Sequence, residues 1–101
     1  MQLDGNWRVA VSTPVGRQEV VFRLTTVNGS IEGTATQGEE VALFENVVRE
    51  GNRLRWALRV TRPFKMHIRY DVTIEGDKMA GTAKAGIFPT SKLSGERQLA
   101  G

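Results

Sequence analysis

The sequence predicts an all-β fold: a closed, eight-stranded, antiparallel up-and-down (meander) barrel formed by one domain spanning 1–101. Three observations predict it. Apolar and polar residues alternate with a period of two along most of the chain, which suits half-buried strands and not helices, whose period is 3.6. The connections are too short to hold crossover helices, so neighbouring strands must run antiparallel. Finally, the text repeats: Gly5-Asn6-Trp7, Pro14 and Gly33-Thr34-Ala35 are echoed by Gly51-Asn52, Trp56, Pro63 and Gly81-Thr82-Ala83. Two similar halves, about 5–50 and 51–98, each too small to bury an apolar face alone, are expected to close on each other with pseudo-twofold symmetry.

The expected strands are Asn6–Thr13, Arg17–Val27, Ser30–Gln37, Val41–Glu50, Arg53–Arg62, Phe64–Glu75, Lys78–Ala85 and Phe88–Gln98. Each is rich in β-branched or aromatic residues. The fifth puts Leu54, Trp56, Leu58 and Val60 on one face and Arg53, Arg55 and Arg59 on the other. The sixth alternates Phe64, Met66, Ile68, Tyr70, Val72 and Ile74 with Lys65, His67, Arg69 and Asp71. Asn28-Gly29, Gly51-Asn52 and Gly76-Asp77 accept positive φ and suit tight hairpins. Pro14-Val15-Gly16 and Arg62-Pro63 mark two further reversals, because proline fixes φ and removes a ladder donor. A meander with one apolar face leaves two exposed edges, and closure into a barrel removes both.

Composition excludes several function classes. With 40% hydrophobic and 25% charged residues, the chain suits a soluble globular domain. No apolar run of about 18 residues is present, so no membrane partner is expected. There is no cysteine, hence no disulfide, thiol chemistry or cysteine-based metal site. The N-terminus has no basic segment followed by an apolar stretch, and a cytoplasmic location is expected. A net charge of +3 points only mildly to anionic partners.

Gly5-x-Trp7 at the start of the first strand, with Arg97 near the chain's end, resembles the calycin barrels: lipocalins, fatty-acid-binding proteins and avidins. That resemblance implies that Trp7 plugs one barrel end with Arg97 packed over its ring as a cation–π contact. The chain is shorter than lipocalins and has neither their helix nor the helical lid of fatty-acid binders. Ile31-Glu32-Gly33-Thr34 is similar to text in avidins, but Ala35 and the scarcity of Trp and Tyr argue against carrying over a biotin site. Thr13-Pro14-Val15-Gly16 and Met79-Ala80-Gly81-Thr82 also resemble short barrel modules appended to some bacterial hydrolases.

Candidate chemistry is sparse. His67 is the single histidine and lies by alternation on the polar face, without a carboxylate or nucleophile partner. No catalytic residue, metal ligand or cofactor is expected. Arg53, Arg55, Arg59, Arg62, Lys65 and Arg69 form a basic outer face with His67. A solvated, edge-protecting role is favoured for it over nucleic acid, because the aromatic residues needed for stacking lie on the opposite face. Asp71 is expected to pair with Arg55 across strands.

Gly33, Ala35, Gly81, Ala83 and Ala85 would leave interior room if they face inward. The first functional expectation is therefore a non-enzymatic barrel holding an apolar or aromatic small molecule among Phe22, Trp56, Leu58, Met66 and Tyr70, with Thr90 and Ser91 as polar anchors. The alternative is an accessory or interaction domain with a filled barrel that self-associates or docks to a partner protein. Val21, Ala42 or Phe44, and Val47 are then expected to point outward as an oligomer contact.

Overall fold

Nine strands form where β-branched and aromatic residues alternate with polar ones. In the computed structural model, which describes residues 3–14, 16–61 and 65–98, they are β1 (Gly5–Thr13), β2 (Gly16–Val27), β3 (Ser30–Gln37), β4 (Glu40–Leu43), β5 (Glu45–Glu50), β6 (Arg53–Val60), β7 (Met66–Glu75), β8 (Lys78–Ala85) and β9 (Ser91–Arg97). All pairings are antiparallel, in the order β4-β3-β2-β1-β9-β8-β7-β6-β5. The result is a nearly closed meander barrel. The expected turns at Val15 and at Arg62-Pro63, and the strand start at Phe64, lie outside the described residues.

The count of nine corrects the expected eight, and the reason is local. The segment expected as one strand, Val41–Glu50, divides at Phe44. Its first part pairs with β3 and its second part with β6. The backbone N–H of Phe44 still donates to the Gly33 carbonyl at 2.9 Å. Beyond it the register shifts between Glu45 and Val48, and Asn46 takes φ +52°, a left-handed conformation that asparagine tolerates better than most residues. An extra residue of this kind bends a strand and increases its twist. The chain thus leaves one edge of the sheet and joins the other.

Side chains help to hold the seam. The Glu40 carboxylate, at the start of β4, accepts the Thr61 backbone N–H at 3.1 Å and the Thr61 hydroxyl, just past β6. Arg59 and Glu45 pair across β6 and β5 at 3.6 Å. The Phe44 ring fits because residue 33 is glycine: a Cβ there would lie 2.5 Å from the ring, closer than atoms can pack.

The opposite end is shut by the N-terminal segment. Trp7 is fully buried and donates its indole N–H to the Leu3 carbonyl at 3.0 Å. Trp7 and Arg97 are register partners on β1 and β9, and the guanidinium lies 4.7 Å from the ring centroid. Arg97 also donates to the Asp4 carbonyl at 2.7 Å and pairs with Asp77 at 3.0 Å. Asp4 in turn accepts the Thr26 N–H at 3.0 Å and hydroxyl at 2.6 Å. These hydrogen bonds hold its carboxyl below the usual carboxylate range. One arginine therefore ties together the segment before β1, the β7–β8 turn and the buried indole.

Two outcomes test this construction. Trp7→Ala should lower stability by about 3–5 kcal/mol, because it leaves a large cavity under Arg97; an unchanged urea midpoint would refute the plug. Gly33→Val should cost about 1–3 kcal/mol by overpacking against Phe44, and equilibrium denaturation that matches the parent would show that Phe44 does not depend on that space.

Candidate functional site

The interior is built from residues that the register places side by side. Trp56 on β6 faces Tyr70 on β7, and Tyr70 faces Ala83 on β8. Phe22 on β2 faces Ala35 on β3. The small residues do point inward, but the large ones occupy the space they leave. Trp56 stacks with Phe44 at 4.4 Å and 9°, and with Tyr70 at 5.1 Å and 13°. Phe22 meets Phe44, Trp56 and Tyr70 edge-on, at 5.2–5.5 Å and 82–90°. Such contacts each contribute about 0.5–1.5 kcal/mol beyond burial. Of the other residues expected around a ligand, Leu58 is buried and Met66 is half-buried toward the open end. Thr90 is exposed in the β8–β9 loop.

Two polar groups sit within this apolar cluster. The Trp56 indole N–H is buried and has no hydrogen-bond partner among the described residues, a condition that costs about 1–3 kcal/mol. Burial pushes the Tyr70 phenol up to about 12, because removal from water disfavours the phenolate.

The outer face of β6 and β7 carries the arginines. Arg53 makes a bidentate pair with Asp71, at 2.9 and 2.5 Å. This corrects the expected Arg55–Asp71 pair: Arg55 is the register partner of Asp71, but its guanidinium engages Glu50 instead. A long side chain can reach the diagonal neighbour, so direct opposition does not decide pairing. Arg69 and His67 are exposed on the same face. Among the described residues, no group of three or more His, Asp or Glu side chains is placed to hold a metal ion.

The outward apolar residues also differ from expectation. Ala42 is buried, and Phe44 and Val47 pack against the core. Phe44 to Val47 is an odd step, so the bulge changes which parity faces inward. Val41 and Leu43 are the exposed pair on β4, at 60% and 70%. Phe44 is the central residue that sequence reasoning placed incorrectly. The odd spacing to Val47 was its available signal.

Two concavities among the described residues open to solvent. One, of about 490 Å³, runs along Arg23, Ile31, Gly33, Leu43, Phe44 and Val47. The other, of about 440 Å³, lies between Arg59, Val60, Thr61, Lys65, Met66 and His67. Neither is lined by Phe22, Trp56 or Tyr70.

No family model and no curated protein matches the chain. A solved structure described as a redesigned β-barrel is similar to it, with a TM-score of 0.72 over 96% of this chain and 92% of that one, at 10% identity. That similarity shows the barrel fold.

Tyr70 is the single tyrosine, so its titration is readable by phenolate absorbance. Its folded value is raised above the ordinary one of about 10. The associated stability is full below about pH 10 and is lost as pH rises toward 12. Tyr70→Phe should remove that alkaline loss; a phenol titrating near pH 10 in the folded protein would place the ring in water.

Proposed function

We propose that this protein is a non-enzymatic interaction module whose interior is structural and whose outer surface meets its partner. The observation that carries the reading is the four-ring cluster of Phe22, Phe44, Trp56 and Tyr70, which packs ring against ring in the interior. That neither solvent-open concavity is lined by Phe22, Trp56 or Tyr70 supports it as well. Enzymatic activity has no support in a nucleophile–base pair.

A second reading keeps an apolar or aromatic small molecule in the interior. It draws its support from the unpaired Trp56 N–H, a buried donor that a planar ligand with an acceptor atom would satisfy. The finer kinship also belongs here. The Trp7–Arg97 contact supports placing the chain beside the calycins. The doubled Gly-Thr-Ala text, with a Gly-Asn and a Trp recurring ahead of it in each half, supports an origin by duplication of one half.

Native mass spectrometry of protein purified from its own host separates the two readings. The surface reading expects the bare polypeptide mass, or an integral multiple of it for self-association. A retained small molecule, lost in Trp56→Phe, would overturn it in favour of the interior ligand.

A further inference from the structure

We propose that the β8–β9 loop and the cations around it form a docking surface for an anionic lipid bilayer. The inference rests on the surface reading and names the partner. At the barrel end opposite Trp7, Ile87 stands 97% exposed, with Phe88 beside it at 40%. The loop is not loose: the Phe88 N–H donates to the Ala85 carbonyl at 3.0 Å, and Lys84 Nζ donates to the Phe88 carbonyl at 2.7 Å. An aliphatic side chain is thereby held out in water at the tip of an ordered turn.

Cations surround that tip. Arg69 on β7 lies directly opposite Lys84 on β8, an arrangement that costs stability in a sheet unless something compensates it. Lys92 on β9 faces Thr82 and, on its other side, Ser12. Lys65 precedes β7 and is exposed. Among the described residues, none of Lys65, Arg69, Lys84 and Lys92 has an ion-pair partner, whereas Arg53, Arg55 and Arg59 are paired with Asp71, Glu50 and Glu45. The carboxylates of this end include Glu39 and Glu40 on the β3–β4 turn and Glu45 at the start of β5; Glu40 is held at the seam by Thr61 and Glu45 pairs with Arg59. Uncompensated positive charge is therefore concentrated around Ile87.

An apolar apex ringed by lysine and arginine matches the two attractions of an acidic membrane surface: shallow insertion of the apex and screening of headgroup charge. A single-stranded nucleic acid would call for several exposed stacking rings, and here Trp7, Phe22, Phe44, Trp56 and Tyr70 are buried or packed on the core, which leaves Phe88 as the one exposed ring among the described residues. A protein partner would need about 800 Å² on this side, and one loop tip offers a small apolar contact. That no helix among the described residues is long and apolar enough to cross a membrane does not bear on docking of this kind.

The test is co-sedimentation with vesicles of phosphatidylcholine alone or mixed with phosphatidylglycerol. The wild-type chain should bind the mixed vesicles, bind phosphatidylcholine weakly, and release as salt rises. Ile87→Asp and the double variant Arg69→Glu/Lys92→Glu should each lower partitioning about tenfold or more. Leu43→Asp, an exposed apolar position on β4, should leave it unchanged. Circular dichroism establishes that the variants remain folded. Absence of wild-type binding, equal binding by Ile87→Asp, or loop-dependent binding to an acidic peptide or duplex DNA without vesicle binding would overturn the proposal. With a bare native mass, such a failure rejects the lipid partner alone; a co-purified small molecule rejects the reading beneath it.

Discussion

A sheet whose two edge strands are consecutive in the chain has to meet itself, and Phe44 is where this one does. β4 and β5 flank the sheet order, yet one residue separates them. The backbone at that residue still bonds to β3, while the next residue pairs with β6. The same side chain enters the interior and stacks with Trp56. Closure and core packing therefore depend on one another. If Phe44 were withdrawn, the seam would lose its interior contact and Trp56 would lose a stacking partner. This coupling also explains Gly33, whose missing side chain is the space that the ring occupies.

The two ends of the barrel solve different problems. At the Trp7 end, Arg97 satisfies carbonyls of Asp4 and Gly76 and pairs with Asp77 while covering the indole. Partly desolvated contacts of this kind are stronger than exposed ones. At the other end, the hydroxyl and backbone of Thr61 are tied to Glu40, but the neighbouring loop presents Ile87 to water. Along the outer wall, Asp71 is held below the usual carboxylate range, chiefly by its hydrogen bonds from Arg53. Any associated stability is present above the ordinary carboxylate value and is lost as pH falls through the lowered one. The exposure of that pair keeps its contribution small.

The meander was legible because its signals are local. Alternation fixes which residues face inward, and Asn28-Gly29 reverses the chain with positive φ at both positions. The break at Phe44 was harder to read because Val41–Glu50 contains no glycine or proline to announce it. Only a change of parity, from Ala42 and Phe44 to Val47, marks the bulge, and the alternation of Val41 and Leu43 is compatible with either face. Small residues were equally ambiguous. Gly33, Ala35 and Ala83 signal interior room in one dimension, but whether that room stays open depends on rings from β2, β6 and the corner, which only the register brings together. Salt-bridge partners were ambiguous for a related reason: Arg53 and Arg55 both reach the neighbourhood of Asp71, and side-chain length decides between them.

Stability and recognition therefore occupy different parts of this barrel. The aromatic cluster and the Trp7–Arg97 cap bury the residues with the largest cohesive contribution, and they present little of themselves to a partner. What remains exposed is not random. Arg69 and Lys84 stand directly opposed without a carboxylate between them, and Ile87 is almost fully solvated on a turn that Lys84 helps to order. A fold that satisfies Arg53, Arg55 and Arg59 with carboxylates has the means to neutralise a nearby cation. That it leaves a group of them without such partners around an apolar tip is the physical ground for assigning that end to contact with another surface.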